Sequence, residues 1–559
     1  MTEVLVVLVV ALVVIAASAV LGPRIGVASP LVLVAVGVGA SFLPMFAELH
    51  IEPEWILEGV LPPLLYSAAV SMPAMNFRRE FAAIGGLSVV LVVVTSLVLG
   101  LFFMLVLPGI GFAWGVALGA IVSPTDAVAT GMIRKAPISK RVVAILDGES
   151  LLNDATALVL LRTAIVATAA SFSFWGTVGT FAYSVVIAIV VGGIVAMANL
   201  AIRRRVKNPT VNTVISFVVP FVASVPAELL HSSGLVAAVV AGLVTGIRAP
   251  RELSPQNRLS DAQNWRTVEL VLEGVVFLTM GLQLKSILTE VQEEHSGIGI
   301  AVLVAAGALV LTVLVRAAYV APLLAWLGVA TRRNERIQPR LQDMQEKLAT
   351  PEGKQETFER MTERGGPRRT ARDLERFAVR VTRAAADIEY FRREPMGWRE
   401  GVVVVWAGMR GAVTVAAAQT LTIGATPQRA ELVLIAYVVA ILSLLLQGGT
   451  IGWLVRRLVP ARDTAAVAAQ NDAELDRIFA LLRAASDGIP EPPKPEGEHP
   501  TQEQFEQARD YRLAVIGAQR TAVLVARDDG TFDADVLEAA LANLDASQIA
   551  LELRGTLRG

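Results

Sequence analysis

Residues 148–154 read GESLLND and place Glu149, Asn153 and Asp154 inside a segment otherwise apolar enough to cross a membrane. An Asp at the centre of a membrane helix costs roughly 2.5 to 3.5 kcal/mol, so such a residue ordinarily faces a cavity, a partner or an ion path. In a helix Glu149 and Asn153, four apart, share a face, while Asp154 lies about 100° round from Asn153. Asp154 can then face a cavity while Glu149 pairs elsewhere. A buried acid satisfied by its neighbours is the plainer alternative.

Two further stretches break the helical rule. Residues 123–127 read SPTDA in the middle of an apolar segment. Proline removes a backbone donor and disfavours helix in the residue before it, so an interrupted helix is expected there, with Thr125 and Asp126 at the break. Freed carbonyls, N–H groups and half-helix dipoles build ion sites in transporters; a proline kink capped by Thr and Asp is the simpler reading. Residues 406–414 read WAGMRGAVT, with glycines on both sides of Arg410. That pattern permits unwinding, and Arg410 would offset half-helix C-termini as Asp126 offsets N-termini. Snorkelling of Arg410 to headgroups is the alternative. Arg316, deep in another apolar segment, needs an acid: Glu149 first, with Glu228 or Glu273 as alternatives. Glu228 and His231 fit hydration or capping at a helix end better than ion liganding, and the roles of Glu269 and Glu273 stay open.

The elements that must position these residues are membrane helices. The 559 residues are 54% hydrophobic and 18% charged, with mean hydropathy +0.58, against about 45–50% and about 25% in soluble domains. An all-α polytopic membrane protein is expected, with about thirteen transmembrane helices near 4–22, 29–46, 53–73, 82–107, 112–134, 140–170, 174–202, 210–230, 233–248, 265–289, 297–328, 401–422 and 429–457. The first apolar run lacks a basic start and reads as a retained helix rather than a signal peptide. Basic residues fall at alternate ends: Arg24, Arg78/Arg79, Arg134 to Arg141, Arg203 to Lys207, Arg248 to Arg258, the segment from Arg332, and Arg456/Arg457. The intervening loops, 48–54, 108–112, 171–176, 289–297 and 423–428, are acidic or nearly uncharged, which puts the N-terminus outside and the C-terminus in the cytoplasm.

Domains follow the same boundaries. Residues 1–328 form the first transmembrane part and 401–460 its last two helices. Residues 329–400, with 17 Arg/Lys against 13 Asp/Glu, form a charged helical cytoplasmic insertion. Residues 461–559 form a helical cytoplasmic tail, regulatory or dimerising, split by a linker at 488–502. A cytoplasmic regulator or lipid headgroups are candidate partners of both. The net charge of −1 gives no argument for nucleic acid, and the absence of cysteine excludes disulfides and thiolate chemistry.

The assembled motifs resemble the sodium/proton exchangers of the monovalent cation:proton antiporter-1 family, in its bacterial form with a cytoplasmic tail. The resemblance covers residues 1–460 and rests on LPPLLYSAA (61–69), SPTDAVA (123–129), GESLLNDATALV (148–159), AELLHSSGLVAAVVAGL (227–243) and GMRGAV (408–413). It implies inverted repeats, two crossed discontinuous helices carrying Thr125–Asp126 and Arg410, and a homodimer in the plasma membrane, bacterial inner membrane included. It also implies an ion-binding and proton-coupling set of Asp154, Asn153, Thr125, Asp126 and Ser150, with Na+ at Asp154 and no cofactor, and structural charges Glu149, Arg316 and Arg410. Ser67 departs from the acid that many members carry, and residues 329–400 exceed the usual connection. The expected function is secondary active Na+/H+ antiport, Li+ tolerated. Asp154 cannot hold a proton and a cation together, and with Asn rather than Asp at 153 exchange is electroneutral, one for one. A K+/H+ antiporter is the nearest rival; an intramembrane aspartyl protease lacks its GxGD pattern, and a cation channel lacks a filter-like repeat.

Overall fold

The structure, a computed structural model, describes residues 2–24, 27–43, 52–134, 136, 138–169, 174–293, 297–365, 370–421, 426–459, 464–492 and 501–556. Several loop markers of the sequence reading, Glu48, Lys135, 171–173 and 423–425, lie outside the described residues, as does 493–500 of the linker. The described residues are helical, with turns between the helices and no strand. They form two compact units. One comprises Met1–Glu252, Ser260–Leu324 and Met396–Pro460; the other comprises Leu253–Leu259, Ala325–Pro395 and Ala461–Gly559.

Nine helices among the described residues are long and apolar enough to cross a membrane. Ser29–Ser41, Trp55–Ser71 and Phe112–Val122 are shorter apolar helices. The broken pair Trp398–Trp406 and Ala412–Gln419 occupies the segment expected at 401–422. Leu105 and Leu303 are 73% and 74% exposed, an arrangement that is stable only where lipid takes the place of water. Small residues set how close helices come. A Cβ built on Gly119 would lie 2.5 Å from the Ser96 carbonyl oxygen, so Phe112–Val122 packs backbone to backbone on Val92–Val106 as small-residue membrane interfaces do.

The short joint expected between 210–230 and 233–248 separates two helices, Pro209–Leu229 and Gly234–Glu252. Asn208 starts the first, its Oδ1 accepting from Thr210 N at 2.9 Å with Pro209 at the first helical position, where its missing N–H is not needed. His231, at φ 54°, ends the run by leaving the right-handed region. Other expectations need correction. The span expected at 265–289 starts at Pro255, a helix-starting residue, and divides into Pro255–Leu282 and Leu284–Glu293. The helix expected to close near 328 continues as Ile298–Ala349, because helical hydrogen bonding is indifferent to the change from apolar to charged side chains. The segments at 53–73, 82–107 and 429–457 each contain a wider π-helical stretch, at Trp55–Val60, Gly86–Leu91 and Leu444–Gly448.

The second unit holds Pro351–Gly365, Ala371–Arg393, Thr464–Ser486, Gln502–Asp529 and Ala534–Thr556. Thr501 and Gln504 close a capping box on Gln502–Asp529, and Gly530, at φ 72°, terminates it. Gln519 Nε2 donates to Ser486 Oγ at 2.9 Å, and Val523 and Leu537 are buried between the helices.

Candidate ion-binding site

Two interrupted helices cross in the first unit. Phe112–Val122 stops before Ser123-Pro124, and the chain resumes helix at Val128–Ile133. Trp398–Trp406 stops before the Ala407 to Gly411 stretch and resumes at Ala412–Gln419. The breaks are joined directly: Asp126 N donates to Met409 O at 2.7 Å.

Charges sit on the exposed ends as helix dipoles require. Arg410 Nε donates to Val122 O at 3.0 Å, in the last turn of the first half-helix, and its Nη1 donates to Gly408 O. Arg316 Nε donates to Val404 O at 2.9 Å, in the last turn of the other. Asp126 serves the opposite poles: its Oδ1 accepts from Val128 N at 3.0 Å, and a Cβ on Gly411, which caps Ala412–Gln419, would overlap its carboxylate. Arg410 has no carboxylate partner among the described residues. It is held by carbonyls, and its backbone N donates to Ser443 Oγ at 2.9 Å, which in turn donates to Gln447 Oε1 at 2.5 Å. Gln447 belongs to the π-helical stretch Leu444–Gly448, so that irregularity supports the crossing.

Asp154 and its neighbours lie on Lys140–Ala169. Glu149 pairs with Arg316, Nη2 to Oε2 at 2.7 Å and Nη1 to Oε1, both side chains 2% exposed. Thr125 Oγ1 donates to Glu149 Oε1 at 3.1 Å, and Asn153 Nδ2 donates to Thr125 Oγ1 at 2.6 Å and to Thr125 O at 3.0 Å. One chain of bonds thus links Arg316, Glu149, Thr125 and Asn153. Asp154 stands outside it. Its side chain is 8% exposed, it lines a cavity of about 110 Å³, and no hydrogen bond or ion pair reaches its carboxylate among the described residues. Ser150 and Asp126 line the same cavity, with Thr125, Thr414 and Gly411. Ser150 Oγ donates to Asp147 O at 3.1 Å, within its own helix.

Sequence reasoning left two of the lining residues unassigned. Glu269 and Glu273, on Pro255–Leu282, face the cavity, and Ser67 Oγ donates to Glu269 Oε2 at 3.4 Å. Their one-turn spacing marked a shared face, but nothing local showed which cavity it met. Two basic loop markers are also buried and paired: Arg141 with Glu80 at 2.5 Å, and Arg203 with Asp261. Of the alternatives considered for Arg316, Glu273 faces the cavity instead, and Glu228 packs beside Gly234.

An uncharacterised Na+/H+ exchanger of Mycobacterium bovis is 27% identical over 587 aligned positions, covering 98% of this chain and 96% of the relative. A sodium, potassium, lithium and rubidium/H+ antiporter of Bacillus subtilis is 28% identical over 269 positions, covering 46% of this chain and 40% of its own. The solved sodium proton antiporter of Methanocaldococcus jannaschii superposes with a TM-score of 0.55 at 15% identity, covering 82% of this chain and 99% of that one; the likeness is one of fold. The family described as sodium/hydrogen exchanger, transmembrane, matches residues 7–339 and 377–457. Since that match spans well over half its length, the chain belongs to the sodium/hydrogen exchanger family, as a multi-pass plasma-membrane transporter and not an enzyme.

Proposed function

We propose that the chain exchanges one Na+, with Li+ tolerated, for one H+ across the plasma membrane by competition at Asp154. The observation that carries this reading is the division of the 148–154 acids. Glu149 is committed to Arg316, whereas Asp154 faces the cavity with no donor. A buried carboxylate without a partner must take a proton or a cation. Occupancy by one excludes the other, and alternation between the two couples the fluxes. Asn153 beside it is neutral and holds Thr125, so the pair contributes one titrating group and the exchange moves no net charge. Thr125, Asp126 and Ser150 shape the cavity, while Glu149, Arg316 and Arg410 stabilise its walls.

K+/H+ exchange is the second reading, favoured by the potassium and rubidium activities in the name of the Bacillus relative. We further propose a homodimer, with 329–400 and 461–559 contacting a cytoplasmic regulator or lipid headgroups. The test is cation-induced dequenching of a pH dye in proteoliposomes, comparing Na+, Li+ and K+ with the membrane potential clamped at several values. Na+ and Li+ should drive proton movement at rates independent of potential. Net charge movement would sink the one-carboxylate stoichiometry, and a response to K+ alone would transfer the assignment to the rival ion.

A further inference from the structure

We propose that Glu269 and Glu273 form a staging position, where the transported monovalent cation is held with part of its hydration before it reaches Asp154. The proposal rests on the reading of Asp154 given above. The two acids belong to a stripe on Pro255–Leu282 whose members are four residues apart: Asp261, Trp265, Glu269 and Glu273. The first two are spent on packing. Asp261 pairs with Arg203, and the Trp265 indole N–H donates to Ser216 Oγ at 3.0 Å beside the Tyr66 ring. Glu269 accepts one hydroxyl, from Ser67 at 3.4 Å. Glu273 has no hydrogen bond or ion pair among the described residues.

Both line the cavity of Asp154 and Asp126, whose described lining includes no Arg, Lys or His. Arg134 and Arg266 act on Glu269 electrostatically, and neither lines the cavity. The second sign of a ligand is Asp154 itself, more than nine-tenths buried and aimed into the same space without a donor. At about 30 Å³ per water in the liquid, the cavity of about 110 Å³ holds a cation with a few waters. No three of these acids converge as a chelating group among the described residues, which suits a loosely held monovalent ion rather than a divalent one. Helix Leu61–Ser71 lines the cavity with Leu61, Leu64, Leu65 and Ala68 and no carboxylate, and its Ser67 hydroxyl meets Glu269, so the acids come from Pro255–Leu282.

The test is the Na+ dependence of exchange in proteoliposomes. Glu269→Gln and Glu273→Gln should each raise the apparent KM for Na+ about three- to tenfold, with the maximal rate changed by no more than about twofold, as expected for loss of charge focusing rather than of the reacting group. Ser67→Glu in the Glu269→Gln background should lower KM again, because it returns a carboxylate to the same contact from the other side. Unchanged KM in both single variants overturns the proposal. So does a KM increase that Ser67→Glu leaves unreversed, which would indicate a packing defect rather than a missing charge. Asp154→Asn in the same vesicles separates the two readings: if it is inactive while the glutamate variants keep normal KM, only the staging position fails, and if it stays active the site itself is misassigned.

Discussion

Glu149, on the helix of Asp154, and Arg316, bonded to Val404 O at the second helix break, neutralise each other, which keeps charge fixed beside the proposed site. Both are 2% exposed, and breaking a buried pair by removing one partner costs about 3–5 kcal/mol, because the other charge is stranded. Glu149→Gln should therefore lower the thermal stability of the detergent-purified protein markedly, whereas the apolar double variant Glu149→Leu/Arg316→Met should recover most of the loss. Equal destabilisation by the two would show that the pair contributes by something other than mutual neutralisation. Asn153 gives a sharper forecast. Its amide donates twice to Thr125, and an ionised Asp offers no donor in return. Asn153→Asp should slow exchange by about tenfold or more through loss of those bonds, each buried loss being worth about 1–3 kcal/mol. Vesicle exchange rates and currents would measure this, and a fast electrogenic variant would contradict it.

At the scale of elements, the two broken helices were legible because their causes are local. Ser-Pro at 123–124 forbids continuous helix, and Gly408 and Gly411 around Arg410 allow the second break. Gly411 is required for close approach, since a Cβ there would overlap the Asp126 carboxylate. Gly411→Ala should abolish exchange while leaving the protein folded by circular dichroism; Gly449→Ala, which meets open space, should exchange as the parent does. Equal activity of both would disprove the crossing geometry. The π-helical stretches were not legible, because an extra residue per turn leaves no mark in hydropathy. The contribution of Pro255–Leu282 was hidden for another reason: Glu269 lies 202 positions from Ser67, and a contact at that separation is made by packing alone. Arg141 and Arg203 likewise read as loop markers because composition cannot show that Glu80 and Asp261 await them.

At the scale of the whole molecule, apolar length and loop charge disclosed an all-helical membrane protein, and family motifs disclosed its architecture. The organisation of the second unit needed the structure. There Asp545, on the last helix, receives Arg520 at 3.0 Å and Arg258, while Gln256 donates to Glu552. The residues Leu253–Leu259 thereby belong with the tail. Asp545→Ala should free the C-terminal helix, seen as faster limited proteolysis within 534–556, and unchanged cleavage would show that these ion pairs, partly exposed as they are, do not hold it.

On the proposed mechanism Asp154 alternates between one cation and one proton. This alternation is tested most directly by counting protons released as Na+ binds to the purified protein, using calorimetric titrations in buffers of different ionisation enthalpy. Competition at a single carboxylate requires about one proton released per Na+ bound at a pH below that at which the group titrates, falling toward zero above it, and loss of both signals in Asp154→Asn. Cation binding without proton release, or the same release from Asp154→Asn, would contradict it.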